Sequence, residues 1–163
     1  MKPERAQNYK KEANNAPALT ITEPFSYDQF QQYYDLRWRI LRAPWKQPRG
    51  TEKDQREDDS YHVMVIDTDQ TVIGVGRLHL NSPEQAQIRF MAVETQLQRQ
   101  GIGKMLLFAL EKKAREWGAS EIIFDARANI AGFYKRYGYV TLGQGHTLFG
   151  SVHHYKMSKR IRI

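Results

Sequence analysis

A glycine-bearing turn carries the clearest chemical signal in this chain. It leads from an apolar segment into a helix-like one, and its residues are Gln98, Arg99, Gln100, Gly101, Ile102, Gly103 and Lys104. The first amides of a helix have no partner inside the helix and lie at the positive end of its dipole, so they attract anions. The two glycines leave those amides unobstructed by Cβ atoms. The turn is therefore predicted to bind the phosphates of a ligand.

Two familiar phosphate-binding loops do not fit these residues. A P-loop needs a glycine five positions before its Gly-Lys pair and a Ser or Thr after it, but Gln98 and Met105 stand there. A dinucleotide-binding turn needs a third glycine where this chain has Leu106. The remaining pattern, a Gln or Arg followed by Gly-x-Gly, is weak alone, so its surroundings have to identify the ligand.

The flanking segments place the turn at the edge of a sheet. Residues 88–93 are apolar and β-prone, and residues 122–124 form a second short apolar run. Between them, apolar residues at three- and four-residue spacing predict a helix with one buried face that ends at Gly118. The three segments predict a parallel βαβ unit. The turn then follows the first strand, where ligands of α/β sheets collect.

The remaining segments predict further strands and helices. We expect strands over residues 19–21, 61–67, 72–80, 139–142 and 152–158, a strand from residue 85, and helices over 27–42 and 129–137. Residues 45–60 predict a polar loop with nothing to form a core.

Two motifs together resemble a known family. The spacing from Val93 to Gly103, followed by the segment ARANIAGFYKRYGY over residues 126–139, resembles the GNAT superfamily of acyl-CoA-dependent N-acyltransferases. The likeness spans about residues 61–158 and, more loosely, 25–45. It implies one α/β (α+β) domain with a central mixed, mostly antiparallel sheet, a parallel βαβ cofactor-binding unit and flanking helices.

The resemblance also implies which residues carry chemistry. In that family the glycine turn binds the pyrophosphate of coenzyme A, the preceding strand hydrogen-bonds the pantetheine arm, and a tyrosine commonly protonates the departing thiolate. Acetyl-CoA is then the co-substrate, Tyr134 is a catalytic residue, and no metal is expected. The implied cofactor-binding residues are Met91, Ala92, Val93, Gln98, Arg99, Gln100, Gly101, Ile102, Gly103, Lys104, Asn129 and Tyr134.

Several of these residues also have a purely structural interpretation. The glycines could serve only a tight turn, and the polar side chains beside them could be solvated. Asn129 could cap a helix as readily as contact the pantetheine arm. Tyr134 could pack in the core with its hydroxyl satisfied, as we expect for Tyr137 and Tyr139.

The general base is the least defined part of the site. An amine with a pKa of about 10.4 is almost fully protonated at pH 7, so a group must accept its proton. Many family members carry Glu or His on the cofactor strand, but residues 85–93 contain neither. His154, on the last strand, is the predicted catalytic base. His79, a water chain, or a His154 without any role are the alternatives.

Composition restricts the class of protein. A chain of 163 residues suits one domain, with residues 1–16 as a disordered basic extension and 17–163 as the acyltransferase domain. The absence of cysteine excludes disulfides, a thiol nucleophile and Cys-type zinc sites. Without a signal-like segment or a long apolar run, we expect a cytoplasmic protein that does not enter the membrane. The net charge of +7 is scattered, which suits a polyanionic cofactor better than nucleic acid.

The predicted function is transfer of an acetyl group from acetyl-CoA to a primary amine, on a small molecule or peptide, through a tetrahedral intermediate. Direct attack is expected because the chain has neither a cysteine nor a nucleophile-elbow serine. A backbone N–H of residues 91–93 would stabilise the oxyanion. The alternatives are a non-catalytic module that binds or senses acyl-CoA, with its basic ends on nucleic acid, and a scaffold with an empty cleft.

The acceptor pocket is expected between the first helix, the polar loop and residues 143–153. Arg37 or Arg42 could bind an acceptor carboxylate, or both could be ordinary surface arginines. The chain could be a monomer or a homodimer, and an exposed apolar last strand would allow a dimer.

Overall fold

A seven-stranded sheet runs through the computed structural model, which describes residues 18–162. The extension predicted over residues 1–16 lies outside that range. The strands are β1 (Thr20–Thr22), β2 (Tyr61–Ile66), β3 (Val72–Leu80), β4 (Gln85–Val93), β5 (Glu121–Arg127), β6 (Val140–Leu148) and β7 (Val152–Arg160). The helices are α1 (Tyr27–Leu41), α2 (Ile102–Glu116) and α3 (Ala131–Arg136), with short 3-10 turns at Ala43–Trp45, Thr95–Leu97 and Ala128–Ile130.

The strand order is β1-β2-β3-β4-β5-β7-β6. Only β4 and β5 run parallel, and α2 connects them, while every other neighbouring pair is antiparallel. The predicted mixed, mostly antiparallel sheet with one parallel βαβ unit is therefore confirmed.

Helices cover both faces of the sheet and enclose two apolar cores. Helix α1 packs on one face through Tyr33 and Leu36, and α2 and α3 pack on the other through residues such as Leu106, Leu110 and Tyr134. Because α1 and α2 lie on opposite faces, the segments that follow α1 and precede α2 approach the sheet from different sides.

Local signals explain where α1 starts. The Ser26 hydroxyl accepts a hydrogen bond from the Gln29 amide at 3.1 Å, and the Gln29 side chain accepts one from the Ser26 amide at 3.3 Å. This capping box satisfies amides that have no partner within the helix.

A β-bulge interrupts β4 at Phe90, which has a φ of 55°. Val75 pairs with Ala92, whereas Arg77 pairs with Arg89, so β4 has one residue more than β3 over this stretch. Before the bulge, Ile88 faces the α2 side. After it, Met91 faces that side, because Arg89 and Phe90 both project towards α1.

The last two strands differ from the prediction. Strand β7 lies between β5 and β6, so the final strand is internal and β6 forms the edge of the sheet. The last strand is therefore not an exposed edge that could pair with a second copy, since β5 already pairs with β7 along Glu121–Arg127. Strand β6 is also longer than predicted, and Val140 and Leu142 are exposed on it.

Residues 18–162 contain no helix that combines the length and the hydropathy needed to cross a membrane. The same residues contain no group of three His, Asp or Glu side chains arranged to hold a metal ion.

Candidate active site

Strands β4 and β5 separate part-way along their length. They pair only where Gln85–Gln87 faces Glu121–Ile123, although β4 continues to Val93 and β5 to Arg127. A wedge-shaped opening therefore forms at the carboxyl ends of the two parallel strands, which is where α/β sheets bind ligands.

The backbone of β4 faces this opening with alternate residues. The Glu94 amide donates to the Ile73 carbonyl at 2.9 Å, and Ala92 pairs with Val75 on β3. Since successive amides of a strand point to opposite edges, the amides of Met91 and Val93 point away from β3 and into the opening. These two main-chain groups are available to a ligand.

The glycine turn leads directly from the opening into α2. Arg99 has a φ of 64° and Gly101 a φ of 87°, and α2 begins at Ile102 without a side-chain cap. The first intrahelical bond runs from the Met105 amide to the Gly101 carbonyl at 3.1 Å. Within residues 18–162, the amides of residues 102–104 donate to no acceptor. The amides of the predicted phosphate-binding turn, called the cradle below, are therefore free to bind an anion.

The two glycines are needed for different reasons. Gly101 has open space around it, so its requirement comes from its left-handed backbone. A Cβ on Gly103 would instead lie 3.3 Å from Cζ of Phe133. Phe133 of α3 thus packs on the start of α2.

The polar side chains of the turn lie at the surface. The Gln98 amide group donates to the Val93 carbonyl at 3.3 Å, which links the turn to the end of β4. Arg99 and Gln100 are exposed. The Lys104 ammonium lies 5.5 Å from the centre of the Phe108 ring, one turn further along α2.

Tyr134 lies at the same opening. Its side chain is buried, its ring centre is 4.2 Å from that of Phe124, and its hydroxyl donates to the Met91 sulfur at 3.5 Å. Burial raises the pKa of the Tyr134 hydroxyl, although the nearby Arg127 opposes the shift. The hydroxyl is therefore protonated at neutral pH and can act as a proton donor.

His154 lies on β7 with its ring largely buried. Its Nδ1 is 2.9 Å from the Val152 carbonyl, which can only accept, so Nδ1 carries the proton and Nε2 keeps a lone pair in the neutral ring. Burial lowers the pKa of His154, and the His146 ring stacked 4.5 Å away lowers it further, although hydrogen bonds to the backbone of Val152 and His146 oppose the shift. His154 is thus neutral at pH 7 and able to accept a proton.

His79 has the opposite arrangement. Its Nδ1 accepts from Arg77 at 3.2 Å, and its Nε2 then donates to the Asn81 side chain at 3.1 Å. Both ring nitrogens of His79 are engaged in hydrogen bonds. His79 therefore has no free lone pair with which to act as the base.

Comparison with known sequences identifies the family. The sequence profile of the acetyltransferase (GNAT) family matches residues 30–139. This chain belongs to the GNAT acetyltransferase family. It is 28% identical over 132 residues to the uncharacterized N-acetyltransferase YjcF of Bacillus subtilis strain 168, which covers 81% of this chain and 93% of YjcF.

Two crystal structures of GNAT-type proteins share the fold. An acyl-CoA N-acyltransferase from Pseudomonas aeruginosa has a TM-score of 0.73 and 21% identity, covering 88% of this chain and 99% of that one. A GNAT family acetyltransferase from Elizabethkingia anophelis with acetyl-CoA bound has a TM-score of 0.71 and 19% identity, covering 88% and 98%. The family resemblance of the sequence is confirmed.

The segments that were predicted to form the acceptor pocket differ in part from the expectation. Arg37 is not a surface arginine but fully buried, and its guanidinium donates to Glu57 at 2.8 Å and to the Tyr33 hydroxyl at 2.8 Å. The loop over residues 45–60 carries the acidic partners. Glu57 and Asp54 both bind the fully buried Arg77, at 2.7 and 2.6 Å.

The expectation that this loop contributes nothing to an interior is therefore wrong. Its carboxylates close over α1 and β3 because two buried arginines need compensating charge. Asp54 also binds Arg89 at 2.8 Å. Burial alone would raise the pKa of Asp54, but the hydrogen bonds and charges of the arginines hold it at about 2.

Asn129 lies in the 3-10 turn before α3, and its side chain is exposed. Helix α3 begins at Ala131 with Ile130 as its preceding residue and no side-chain cap. The capping alternative for Asn129 is therefore wrong, and its side chain remains available to a ligand.

The structure brings Tyr134 and Met91 into contact and places the glycine turn beside them. Between Tyr134 and His154 there is no direct hydrogen bond in the part of the chain that the structure describes. Arg127 and Asp125, to which the sequence analysis gave no role, share one face of β5. The alternation of buried and accessible residues along Glu121–Arg127 is the signal that places them together.

Proposed function

We propose that this chain transfers an acetyl group from acetyl-CoA to a primary amine by direct attack. One observation carries the proposal: the uncapped start of α2 and the Tyr134 hydroxyl meet at the opening between β4 and β5. Membership of the GNAT family supports it. So does the Elizabethkingia anophelis relative in fold, whose crystal structure has acetyl-CoA bound.

The residues fit coenzyme A in two places. The open amides of residues 102–104 would hold the pyrophosphate, flanked by the side chains of Gln98, Arg99, Gln100 and Lys104. The inward amides of Met91 and Val93 would bind the pantetheine arm, next to Ala92 and within reach of the exposed Asn129. Position 101 is a glycine with open space around it, so that part of the turn leaves room for a ligand.

Acetyl-CoA supplies the thioester carbon that the amine attacks. A preorganised N–H of β4, at Met91 or Val93, would stabilise the negative charge on the carbonyl oxygen. Tyr134 would donate its proton to the departing sulfur, since the raised pKa keeps its hydroxyl protonated at neutral pH and the proton is present when the thiolate leaves.

His154 would accept the proton of the amine. Its Nδ1–H is bound to the Val152 carbonyl, so the Nε2 lone pair is the only basic site on the ring. Because its pKa lies below the usual value, His154 is unprotonated under conditions where most amines are charged.

Binding and turnover test the proposal separately. We expect coenzyme A at 100 times its dissociation constant to raise the free energy of unfolding by about 2.7 kcal/mol. With acetyl-CoA and a panel of primary amines, we expect thiol release that depends on the amine. Stabilisation without amine-dependent release would favour an acyl-CoA sensor, and no stabilisation would reject both.

Two glycines provide a matched pair of variants. Gly101 and Gly118 stand at opposite ends of α2 with φ of 87° and 84°, and both have open space around them. Gly101→Asp and Gly118→Asp therefore suffer similar backbone strain. Only Gly101→Asp places a negative charge in the cradle, so it alone should abolish stabilisation by coenzyme A. Equal loss in both variants would contradict this location of the site.

A further inference from the structure

Two arginines converge at one backbone carbonyl beside the opening. Arg42 follows α1, Arg127 ends β5, and both guanidinium groups point at the Leu41 oxygen, with N–O distances of 2.9 and 3.5 Å. Two positive charges are thus held close together in a partly buried place. Such an arrangement is costly unless an anion joins it.

Among the described residues, no carboxylate forms a salt bridge with this pair. Within residues 18–162, neither guanidinium lies within 4.0 Å of an acidic side chain. Arg42 donates a further hydrogen bond to the Thr51 carbonyl at 2.9 Å. The nearby Glu52 exerts an attraction on Arg42, but one of its oxygens accepts from the Gly50 amide at 2.7 Å.

The surrounding arginines are different. Arg37, Arg77 and Arg89 all bind Glu57 or Asp54 at 2.6 to 2.8 Å. These two carboxylates carry two negative charges and already bind three positively charged guanidinium groups, so they do not neutralise a fourth. Within residues 18–162, Arg42 and Arg127 are therefore the arginines of this region that have no carboxylate at salt-bridge distance.

Aromatic rings line the site. The Arg127 guanidinium lies 4.3 Å from the centre of the Trp45 ring, and Trp45 stacks on Phe149 with 6.1 Å between ring centres. The Arg42 guanidinium lies 5.5 Å from the Phe149 ring. These rings shield the guanidinium groups from water, which strengthens a charge-assisted hydrogen bond to an incoming anion.

The position of the pair points to the acceptor rather than to coenzyme A. Arg42 follows the helix on the opposite face of the sheet from α2, whose start forms the phosphate cradle. Arg127 is also close enough to the Tyr134 hydroxyl to act on it electrostatically. An anion held here would lie on the side of the opening away from the cradle and near the proposed acid.

We propose that Arg42 and Arg127 bind a carboxylate carried by the amine acceptor. The preferred substrates are then amino acids or other small amines with a carboxylate group. This assignment rests on the acyl transfer proposed above. Of the two arginines that the sequence suggested for this role, Arg42 is retained. Arg37 forms a salt bridge with Glu57, and Arg127 takes its place.

Matched acceptors test the assignment on the full chain. Glycine, lysine, glutamate and phenylalanine would each be compared with the corresponding α-carboxamide as acceptors of acetyl from acetyl-CoA. Because a charge-assisted hydrogen bond is strong, we expect kcat/KM for the preferred acid to exceed that for its amide about 10- to 100-fold. Phosphoethanolamine would test whether a phosphate is bound instead.

Variants tie the preference to the pair. Arg127→Gln should raise KM for the acid about 10- to 100-fold relative to KM for the amide, and it should leave the dissociation constant of coenzyme A within about twofold. Arg127→Lys keeps the charge but loses the two-pronged geometry, so its defect should be smaller. Arg115→Gln, at an exposed arginine of α2, is the matched control and should behave like the wild type.

An acid that is no better than its amide would overturn the proposal, and so would an equal loss for both in Arg127→Gln. A preference for phosphoethanolamine over every acid would also overturn it. Stabilisation by coenzyme A, measured in parallel, distinguishes a failure of the acceptor assignment from a failure of the proposed acyl transfer. If it persists while no acid is favoured, the acceptor class is wrong, and if it is absent, acyl transfer itself is wrong.

Discussion

The Tyr134 hydroxyl lies 3.5 Å from the Met91 sulfur, and this thioether is its sole hydrogen-bond partner among residues 18–162. A thioether sulfur is a weak hydrogen-bond acceptor, so the Tyr134 hydroxyl proton is held only weakly. At the same time the ring is clamped by Phe124 and Phe133, with ring-centre distances of 4.2 and 5.0 Å. The position of the donor is fixed while its proton remains available.

Replacing Tyr134 by Phe should therefore separate catalysis from folding. The variant keeps the packed ring, so stability and the dissociation constant of coenzyme A should change little, whereas kcat should fall about 100-fold or more. Steady-state kinetics and calorimetric titration measure the two effects. Tyr137→Phe, one turn away in sequence and packed on Phe108, serves as the control. Unchanged kcat in Tyr134→Phe would remove this residue from the mechanism.

The proposed base predicts a specific pH dependence. His154 works only when neutral, and burial together with His146 lowers its pKa, so kcat should fall with decreasing pH at a midpoint below 6.5. His154→Gln should lower kcat about 100-fold and remove this acidic limb. The neighbouring exposed His153 is the control, because His153→Gln should leave the midpoint in place. A wild-type midpoint at or above 6.5 would speak against His154.

Asp54 should contribute to stability in a defined pH range. Its pKa of about 2 lies below the unfolded value of about 3.9, so its contribution is complete above that value and is lost as the pH falls towards 2. Asp54→Asn should cost about 2 to 4 kcal/mol at pH 7, because Arg77 and Arg89 lose a partner. Urea unfolding at several pH values measures this. The difference from wild type should shrink between pH 4 and 2, and Asp58→Asn, at an exposed site in the same loop, should show no such trend.

Two glycine-to-alanine changes should have opposite signs. Gly101→Ala forces a Cβ into a left-handed backbone and should lower the free energy of unfolding by about 1 kcal/mol. Gly132 lies in α3. Apart from the adjoining residues and the helix backbone, no atom of residues 18–162 comes within 4 Å of the position that an alanine Cβ would take there, so Gly132→Ala should raise the free energy of unfolding by about 0.5 to 1 kcal/mol. Equal signs in denaturant titrations would contradict the backbone assigned to the turn.

The βαβ unit with its glycine turn could be predicted because its signals are local. The three- and four-residue spacing from Ile102 to Ala114 predicted the helix, and Gly118, with a φ of 84°, ends it. The parallel unit followed from two apolar segments around that helix. The roles of Tyr134, His154 and the turn stay predictions until a ligand or a rate is measured.

The arginine interactions of α1 and the loop that follows it could not be predicted because they connect distant segments. Arg37 lies on an amphipathic helix and looks solvated in sequence, but Glu57, twenty residues later, brings a charge onto it. The meeting of Arg42 and Arg127 at Leu41 joins residues that are far apart in the chain. Nor does any local pattern mark Phe90 as the residue that takes a left-handed conformation in a strand.

The irregularity at Phe90 changes the parity of β4. Even-numbered side chains such as Ile88 belong to the α2 layer before it, and odd-numbered ones such as Met91 belong to that layer after it. An alignment or a graft that treats β4 as a regular strand would assign every side chain of β4 beyond residue 90 to the wrong face of the sheet. The halves of the strand therefore have to be matched to a homologue one at a time.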